Sequence, residues 1–562
     1  MRFPRWARFA LCAVFSGSPA AFAAEPAGAD DAELAASVAR GQTLFLAYCA
    51  MCHGATGDGV GDTYPPLARS DWLAANRSGA IRAVVNGLKE EITVNGRVFR
   101  GQMPPQMLDD GQVADVITFV VNSWGNPGGR VTTDNVRAVR ATADFKTFEA
   151  LKIAGDYRPL PAPPPGFAIR ELVRLTDFPT RMVSDGKSGR LYILGQAGGL
   201  WRFDPASGNL KQLLWPKDFP GLKPLPFQTL GMMRDAEGRL WISTNQRVPA
   251  EPLVLNEVAI YRTSAFDTEG DPVAPRPWLQ TSYPWGIGPY THGLSDLKIG
   301  ADGLLYASNG SRTDSGEPGD VPNLGKMGET DLTATMWRLD PKSAAPKIEI
   351  IARGIRNAFS FAWDGSGNLF TVSNGPDAHA PEEMDFIVPP KPGEAPRHHG
   401  FPYQFGDAPA DKKWYAHTPS APAGSEFVLP VVNLGPAGLM YGKPTSTFNA
   451  HSSPTGLTWL GNDWPESVRN GFLVGRLGSF LLGPEADEEH GFDVLHMKME
   501  RRPDGGWAAR TTTFLAALGR PIDIHIAGPG KLYVMEYTRP STLKGGAGWL
   551  PGRILELTVT GK

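Results

Sequence analysis

A short phrase recurs six times in the C-terminal part of this 562-residue chain. Each copy combines a glycine turn with an apolar residue and an aromatic or aliphatic neighbour. This recurrence predicts units that cannot bury a face alone and therefore stack in a ring, as in a β-propeller. The six copies are Gly189-Arg190-Leu191-Tyr192, Gly238-Arg239-Leu240-Trp241, Gly303-Leu304-Leu305-Tyr306, Gly367-Asn368-Leu369-Phe370, Asn470-Gly471-Phe472-Leu473 and Gly530-Lys531-Leu532-Tyr533.

Six copies predict an all-β, six-bladed β-propeller over residues 167–562. Their spacing averages about 68 residues, more than the about 40–50 of common blade repeats, so loops are inserted between strands. The widest gap, between Phe370 and Leu473, predicts long loops of the kind that carry binding sites on a rigid scaffold. A second phrase predicts a successive strand of the same blade. It occurs as Leu200-Trp201-Arg202-Phe203-Asp204-Pro205, as Met336-Trp337-Arg338-Leu339-Asp340-Pro341 and, shortened, as Ile260-Tyr261-Arg262.

The chain begins with the pattern of a secretory signal peptide. Arg2, Arg5 and Arg8 precede the apolar residues 9–15, and Ala21-Phe22-Ala23 offers small residues for cleavage. We therefore expect residues 1–23 to be removed and the mature protein to be periplasmic. No later apolar run is long enough to span a bilayer, which predicts a mature chain without a transmembrane segment. The net charge of −3 gives no electrostatic reason to expect nucleic acid as a partner.

The cysteines point to a covalent haem. Cys12 lies in the expected signal peptide, so the mature chain keeps the two cysteines of Cys49-Ala50-Met51-Cys52-His53. Two thiols at this spacing can bond to the two vinyl groups of a haem c, while His53 reaches the iron as proximal ligand. A structural disulfide, a thioredoxin-like redox pair and half of a zinc site are the alternatives. An exported chain without a second cysteine pair favours haem.

A distal iron ligand is expected downstream of the haem motif. Gly101-Gln102-Met103-Pro104-Pro105 offers Met103, and Met107 is its competitor. A methionine and a histidine fill both axial positions and raise the haem potential, which favours electron transfer over oxygen chemistry.

The sequence around these ligands predicts helices. One helix is indicated by four apolar residues at helical spacing, Val113, Val116, Ile117 and Val120. Asp109 and Gln112 are placed to cap its start. We expect this helix to pack on the one that contains Gly41 and Phe45.

Residues 33–127 resemble a small all-α class I cytochrome c domain, and Tyr64-Pro65-Pro66-Leu67 resembles the loop that such domains place near the haem. Residues 128–166 are predicted to be a proline-rich linker. Its end, Pro159-Leu160-Pro161-Ala162-Pro163-Pro164-Pro165-Gly166, is stiff and extended.

Several phrases in the predicted propeller resemble the soluble sugar dehydrogenases that use pyrroloquinoline quinone (PQQ), of both the glucose and the sorbosone type. The match is patchy but ordered along residues 168–557. The phrases are Thr291-His292-Gly293, Gly354-Ile355-Arg356-Asn357, Asn374-Gly375-Pro376, Glu382-Glu383-Met384-Asp385, His399-Gly400-Phe401-Pro402 and Gly519-Arg520-Pro521-Ile522-Asp523.

The resemblance implies a role for each of these positions. His292 would be the general base, Arg356 and Asn357 would bind PQQ, and the carbonyls of Gly375 and Pro376 would bind Ca²⁺. Three further residues are candidates for quinone contacts, namely Gln228, Arg476 and Arg520. PQQ has three carboxylates, which arginine side chains can bind with two parallel hydrogen bonds each. Alcohol oxidation needs a base of near-neutral pKa, which a histidine provides. Local hydrogen bonding is expected for His398, His399 and His451.

Two departures from the glucose type put glucose in doubt as the substrate. Arg476 stands where that type has a lysine, and Ile522 stands where it has a second arginine.

Together the two halves predict a periplasmic quinohaemoprotein dehydrogenase. A sugar or another alcohol or aldehyde would be oxidised by hydride transfer to PQQ, and electrons would pass to haem c and then to a periplasmic cytochrome or oxidase. One alternative is a non-catalytic propeller that binds a partner, with the cytochrome as an electron relay. The other is a haem c and haem d nitrite reductase, against which six repeats count.

Overall fold

The computed structural model contains an N-terminal helical domain and a C-terminal ring of β-sheets. It describes residues 29–49, 53–54, 56–59, 64–88, 91–99, 103, 106, 108, 110–140, 159–175, 177–286, 292–321, 324–376, 380–409, 418–444, 447–478, 490–538 and 552–560. The expected signal peptide and Cys52, Met107 and Asp109 lie outside these residues. Within the described residues, no helix is both long and apolar enough to cross a membrane.

The N-terminal domain has five described helices and one short hairpin. The helices are α1 (Ala29–Tyr48), α2 (Asp71–Ala75), α3 (Arg77–Asn86), α4 (Asp110–Val121) and α5 (Thr133–Arg140). The hairpin is formed by β1 (Ile92–Val94) and β2 (Arg97–Phe99). Ser70 and Asn76 cap α2 and α3, because their side-chain oxygens accept the backbone N–H groups of Leu73 and Gly79.

Helices α1 and α4 cross in close contact at Gly41, as the apolar pattern predicted. A Cβ atom on Gly41 would lie 2.0 Å from the carbonyl oxygen of Asp115 and 2.7 Å from the Cβ of Phe119. Next to this crossing, the ring of Phe45 lies 5.4 Å from that of Phe119 and 4.9 Å from that of Trp124. The four apolar residues that predicted α4 are all buried. Glycine is therefore the residue that allows the two helices to approach.

Helix α5 corrects the expected start of the linker. It lies within residues 128–166, but Val131, Val136 and Val139 are buried in the same core as α1 and α4. The helical domain therefore continues to at least Arg140. Prolines and polar residues suggested a linker, yet the valines are spaced so that they face the domain.

Blades 1 and 2 follow the connecting strand β3 (Phe167–Arg174). Blade 1 consists of β4 (Pro179–Ser184), β5 (Leu191–Gly195), β6 (Leu200–Asp204) and β7 (Asn209–Leu214). A single 3-10 turn, Pro216–Asp218, follows it. Blade 2 consists of β8 (Phe227–Gln228), β9 (Met232–Arg234), β10 (Leu240–Ala250), β11 (Leu253–Phe266) and β12 (Pro272–Pro284).

Blades 3 and 4 are joined by residues 354–357, whereas long connections lie within blade 3 and after blade 4. The chain continues through β13 (Leu294–Ile299), β14 (Leu305–Asn309), the hairpin of β15 (Asp320–Val321) and β16 (Gly325–Lys326), then β17 (Thr335–Leu339) and β18 (Glu349–Arg353). Blade 3 consists of β13, β14, β17 and β18. Blade 4 consists of β19 (Ala358–Trp363), β20 (Leu369–Ser373) and β21 (Glu383–Ile387). The next strand, β22 (Arg397–His398), returns to pair in parallel with β18 of blade 3.

Blades 5 and 6 complete the ring. The segment before blade 5 holds β23 (Gln404–Phe405), β24 (Ala408–Pro409), β25 (Val432–Pro436) and the 3-10 turn Met440–Gly442. Blade 5 consists of β26 (Pro454–Leu460), β27 (Gly471–Arg476), β28 (Asp493–Arg501) and β29 (Trp507–Leu515), with β25 parallel to β29 at its edge. Blade 6 consists of β30 (Pro521–Gly528), β31 (Lys531–Glu536), β32 (Arg553–Val559) and β3, which pairs antiparallel with β32.

The repeated phrase marks the beginning of the second strand in every blade, which confirms the prediction of six blades. In blades 1 and 2 the turn before this strand is held by Asp185 and Asp235, whose carboxylates accept backbone N–H groups of the turn. Gly189 and Gly238 have φ angles of 79° and 88°, the left-handed region that favours glycine. The second phrase lies on β6, β11 and β17, the third strand of blades 1, 2 and 3, also as predicted.

A buried guanidinium joins four blades at the centre of the ring. Arg181 on β4 is 3% exposed, and its Nε and Nη1 lie 3.6 Å from Oδ1 of Asp296 and 3.5 Å from Oδ1 of Asp523. Its Nη2 donates to the carbonyl of Ser295, and the guanidinium lies 5.0 Å from the centre of the Phe359 ring. Blades 1, 3, 4 and 6 thus share one buried charge network.

We predict that Gly41→Ala destabilises the helical domain, because the added methyl group would overlap the backbone of α4. Overpacking of this kind costs about 1–3 kcal/mol of unfolding free energy. Chemical unfolding of the full chain, followed through the haem absorbance, measures this loss. Gly461→Ala is the matched control, since a Cβ there meets nothing within 4 Å. Equal stability of both variants would contradict the packing at Gly41.

Candidate functional site

The helical domain contains an apolar cavity. Cys49, His53 and Met103, the described residues of the predicted haem site, all contribute to its wall. Pro65, Pro66 and Leu67 of the expected haem-side loop also line it. The remaining lining residues are Ser70, Trp72, Leu73, Ala80, Ala83, Val84, Leu88, Ile92, Val94, Val116, Ile117 and Val120.

His53 is oriented for metal binding through one ring nitrogen. Its Nδ1 lies 2.9 Å from the carbonyl oxygen of Pro65, which can only accept a hydrogen bond, so Nδ1 carries the proton. The lone pair is then on Nε2. Burial lowers the pKa of His53 below its usual 6.5, which keeps the imidazole neutral as a metal ligand requires.

Met103 is held in the cavity wall by its backbone. Its N–H donates to the carbonyl of Leu88, and the N–H of Leu88 donates to the carbonyl of Met103, both at 2.9 Å. This isolated bridge fixes the start of the Met103 side chain, which packs against the domain core. An apolar cavity with a thiol, a neutral imidazole and a thioether fits a covalent haem with histidine and methionine as axial ligands.

The propeller residues singled out by sequence lie at one end of the ring. In an antiparallel blade, the start of the innermost strand and the end of the second strand lie at the same end. His292 precedes β13, Arg356 and Asn357 precede β19, and Arg520 precedes β30. Gly375 and Pro376 follow β20, Arg476 ends β27, and Gln228 on β8 pairs with Asn245 in the middle of the long strand β10. We call this end of the propeller the rim.

His292 is anchored to the loop after β14. Its backbone N–H donates to the carbonyl of Ser311 at 2.7 Å, and its Nδ1 lies 3.4 Å from the Ser311 hydroxyl. That hydroxyl donates to the carbonyl of Thr313 at 2.7 Å, so it accepts from Nδ1 and the unprotonated nitrogen is Nε2. Burial, and then the positive charge of Arg356, lower the pKa of His292 well below 6.5. The side chain is thus a neutral base near pH 7.

Arg356 provides a fixed positive charge next to this base. It is 5% exposed, and its Nη2 lies 2.6 Å from the Asp314 carboxylate. Its Nε donates to the Asp314 carbonyl at 2.8 Å, and its Nη1 donates to the Asn374 carbonyl at 3.2 Å. The backbone carbonyl of Arg356 accepts the N–H of Ser311 at 2.6 Å, which links it to the loop that holds His292.

Asn357 carries an unused buried acceptor. Its Nδ2 donates to Oδ1 of Asn374 at 3.0 Å, whereas its Oδ1 is buried and has no hydrogen-bond partner among the described residues. A Cβ at Gly310 would lie 2.3 Å from the Cβ of His292 and 3.0 Å from Oδ1 of Asn357. That oxygen therefore lies close to the predicted base. An orphaned polar atom in such a position fits a ligand-binding role.

The predicted calcium segment is tied to a buried carboxyl group. The N–H of Gly375 donates to Oε2 of Glu382 at 2.8 Å. Burial raises the pKa of Glu382 to about 7. Backbone hydrogen bonds from Gly375, Ser453 and His451 and the charge of Arg356 lower this pKa, but burial has the larger effect. Within the described part of the chain, no group of three His, Cys, Asp or Glu side chains could hold a metal ion. Calcium bound by the carbonyls of Gly375 and Pro376 stays a prediction.

Arg476 and Arg520 are buried on the same side of the ring. Arg476 donates from Nε and Nη2 to both carboxylate oxygens of Asp493, at 2.8 and 2.7 Å, and from Nη1 to Asn449 at 2.6 Å. Most of its binding capacity is thereby used within blade 5. Arg520 donates to the carbonyls of Leu477 and Gly478, and it stacks 5.1 Å from the Phe492 ring.

The other candidates differ in exposure. The Gln228 side chain is exposed. His398 accepts the N–H of Gly400 at 3.1 Å, and His399 contacts Asp385 at 3.2 Å, which agrees with local hydrogen bonding. His451 has a φ angle of 61° and directs its backbone N–H to Glu382.

Sequence reasoning missed Asp314, Asn374 and Glu382 as partners of the site. Asn374 and Glu382 stood in phrases that suggested the family, but nothing in their spacing assigned them a contact. Asp314 had no signal at all, because its pairing with Arg356 joins segments 42 positions apart. Residues 287–291, 377–379, 410–417, 479–489 and 539–551 lie outside the described part of the chain.

Comparison with known proteins identifies the helical domain. Residues 38–124 match the family model described as Cytochrome c. Cytochrome c-552 of Thermus thermophilus is 33% identical over 98 residues, which are 16% of this chain and 66% of that protein. The cytochrome c subunit of a quinone alcohol dehydrogenase from Gluconacetobacter polyoxogenes is 28% identical over 118 residues, 18% of this chain and 22% of that protein. The chain thus spans about a fifth of the latter relative.

For the propeller, solved structures of similar fold include the PQQ-bound aldose sugar dehydrogenase of Streptomyces coelicolor. It has 20% sequence identity and a TM-score of 0.47, and the alignment covers 71% of this chain and 100% of that one. The pyranose dehydrogenase PQQ domain of Coprinopsis cinerea has 14% identity and a TM-score of 0.46, covering 72% and 99%.

We predict that Met103→Ala removes the distal haem ligand. The oxidised haem should become high-spin, and its midpoint potential should fall because the thioether no longer stabilises the reduced iron. Visible absorbance and redox titration of the full chain measure both changes. Met107→Ala is the control and should keep the low-spin spectrum. A low-spin haem in Met103→Ala together with a high-spin haem in Met107→Ala would assign the distal position to Met107.

Proposed function

We propose that this chain, which joins a cytochrome c domain to a six-bladed β-propeller, is a periplasmic quinohaemoprotein dehydrogenase. Its substrate class would be sugars or other alcohols and aldehydes. The observation that carries the proposal is a neutral, half-buried His292 close to the fixed cation of Arg356 at the rim, in a chain that also has a cavity lined by the predicted haem ligands.

His292 would act as the general base. Its Nδ1 is protonated and bound towards Ser311, so Nε2 is the atom that can take the hydroxyl proton of a substrate. Since burial and Arg356 both disfavour the imidazolium, the base is ready for proton abstraction at neutral pH.

Arg356, Asn357 and Arg520 would hold PQQ, with Gln228 and Arg476 as further candidates. When bound, PQQ supplies a carbonyl carbon that accepts a hydride from the substrate C–H bond. Arg356 fits an anionic group because it keeps a guanidinium fixed in a buried site, and the unused Oδ1 of Asn357 can accept a hydrogen bond from a donor group of the ligand. Arg476 is bound to Asp493, so it would mainly hold the rim end of blade 5 in place and could offer a ligand only its remaining N–H groups.

Ca²⁺ at the carbonyls of Gly375 and Pro376 is part of the proposal. Glu382 fixes the Gly375 N–H and thereby the turn that presents these carbonyls. Oxygen donors of this kind suit a hard cation.

The cytochrome c domain would carry the electrons out of the protein. A haem c bound to Cys49 and Cys52, with His53 and Met103 as axial ligands, takes up and releases one electron at a time. The external acceptor would be a periplasmic cytochrome or oxidase. Export would follow from the signal peptide expected at residues 1–23.

We predict that sugar oxidation reduces the haem of the protein reconstituted with PQQ and Ca²⁺. A panel of aldoses, ketoses and polyols is added, and the absorbance of the reduced haem is followed. His292→Ala should abolish this reduction, a loss of about 10²-fold or more, because no base takes the hydroxyl proton. PQQ binding, measured by fluorescence quenching, should be unchanged.

His525→Ala is the matched control, since His525 is also a half-buried histidine of lowered pKa but lies on β30 against Ser184. An oxidised haem with every substrate, in a protein that dithionite still reduces, would refute the dehydrogenase function. Unaltered turnover in His292→Ala would exclude this residue from the mechanism.

We predict that Arg356→Gln moves the acidic limb of the kcat profile to higher pH. A neutral His292 is required, so activity is present above its pKa and is lost as the pH falls through it. The positive charge of Arg356 lowers this pKa, and its removal should raise the limb by about 1 pH unit, whatever the change in KM. Arg353→Gln, a half-exposed arginine on β18, should leave the limb in place. An unshifted limb in Arg356→Gln would contradict the coupling.

A further inference from the structure

Two helices of the cytochrome domain contact one loop of the propeller. We call residues 220–226, which precede β8, the docking loop. Tyr48 at the end of α1 donates its hydroxyl to the carbonyl of Pro226 at 2.8 Å. Gln112 on α4 donates its side-chain N–H to the carbonyl of Pro224 at 3.3 Å. Between these two carbonyls, Leu225 packs against the hydrophobic core of the cytochrome domain.

The propeller holds the docking loop from the other side. Gln246 on β10 is fully buried, and its side chain accepts the N–H of Lys223 at 2.9 Å. The same side chain donates to the carbonyls of Lys223 and Leu225, at 3.0 and 2.7 Å. Tyr261 on β11 donates its hydroxyl to the carbonyl of Pro220 at 2.8 Å. These hydrogen bonds fix the backbone of the docking loop on blade 2.

The contact between Tyr48 and the docking loop is half-buried. Burial raises the pKa of Tyr48, and burial lowers the pKa of Arg247, next to Gln246, to about 10. The charge of Arg247 interacts with both Tyr48 and Cys49, and its guanidinium lies 5.1 Å from the centre of the Trp285 ring. The propeller thus presents a positive charge close to a haem-attachment residue.

A series of covalent bonds, hydrogen bonds and one strand pairing leads from the haem motif to the rim. Tyr48 is adjacent to Cys49 and bonds to Pro226, which is two residues before Gln228. Gln228 pairs with Asn245 across β8 and β10. The side chain of Asn245 accepts the N–H of Leu294 at 2.8 Å and donates to its carbonyl at 3.1 Å, two residues after His292.

We propose that the docking loop is the fixed electron-transfer contact between the propeller and the cytochrome domain. The cytochrome is seated on blade 2, and Tyr48, Gln112 and Leu225 are positioning residues that hold the haem edge against the segment leading to the rim. The direction of electron flow rests on the proposed function, whereas the docking itself does not.

The experiment compares Gln112→Ala and Leu225→Asp with the unmodified full chain. Leu225→Asp puts a carboxylate into an apolar contact and should undock the domains, whereas Gln112→Ala removes one hydrogen bond. Gln212→Ala on β7 and Leu429→Asp, at a leucine that is 52% exposed, are the matched controls.

Hydrogen exchange in residues 220–228 and at the end of α1 reports docking. Stopped-flow haem reduction, with the sugar of the panel that reduces the haem fastest, reports electron transfer.

We expect faster hydrogen exchange in both test variants. Haem reduction should slow by about tenfold or more in Leu225→Asp, because undocking lowers the effective concentration of the cytochrome domain beside the propeller. Turnover with an artificial dye that takes electrons directly from the propeller should be unchanged. The haem potential of Leu225→Asp should also fall, since the charge of Arg247 moves away. Unchanged exchange and unchanged haem reduction in Leu225→Asp would overturn the proposal.

Absence of dye-linked turnover in the unmodified protein would instead refute the proposed function. Hydrogen exchange and the haem potential would then still decide whether the loop docks the cytochrome domain. Slowed dye-linked turnover in Leu225→Asp, equal to the slowing of haem reduction, would count against the proposal, because it would indicate damage to the propeller site.

Discussion

The pairing of β3 with β32 is the interaction on which the propeller depends. The strand that completes blade 6 comes from the other end of the domain, so the ring closes only when residues 167–174 and 553–559 meet. Arg553 lies in this seam, 2% exposed, with Glu536 at 2.9 Å and Glu171 at 3.0 Å. Because the rim draws His292, Arg356 and Arg520 from three blades, it exists only in the closed ring. Removing a buried partner from such a network leaves an uncompensated charge.

Residues 159–166 lead directly into β3, and the docking loop contacts the cytochrome domain from blade 2. At the rim, burial acts on two groups in opposite directions: it keeps His292 neutral by lowering its pKa and raises the pKa of Glu382. A neutral base beside a fixed cation suits proton abstraction next to an anionic group.

Much of the fold was predictable from residues that act locally. The turn aspartates and glycines before β5 and β10, and the apolar phrase that follows them, mark the second strand of each blade wherever they occur. The crossing of α1 and α4 followed from spacing and from Gly41. Helix α5 was not predicted, because Val136 and Val139 have a partner only in the folded core. The commitment of Arg476 to Asp493 and of Arg356 to Asp314 was likewise invisible, since each guanidinium could equally have faced a ligand.

The sequence by itself determined the composition of this protein: a thiol, an imidazole and a thioether spaced for haem, followed by six copies of a unit that can bury its face only in a ring. Those properties depend on short-range spacing and on turn chemistry, which are written in neighbouring residues. Only the tertiary structure decided which guanidinium is used internally, that Asn357 has an unused oxygen beside His292, and that the cytochrome domain rests on residues 220–226. These contacts join residues tens to hundreds of positions apart, and no local pattern specifies the partner of a side chain at that separation.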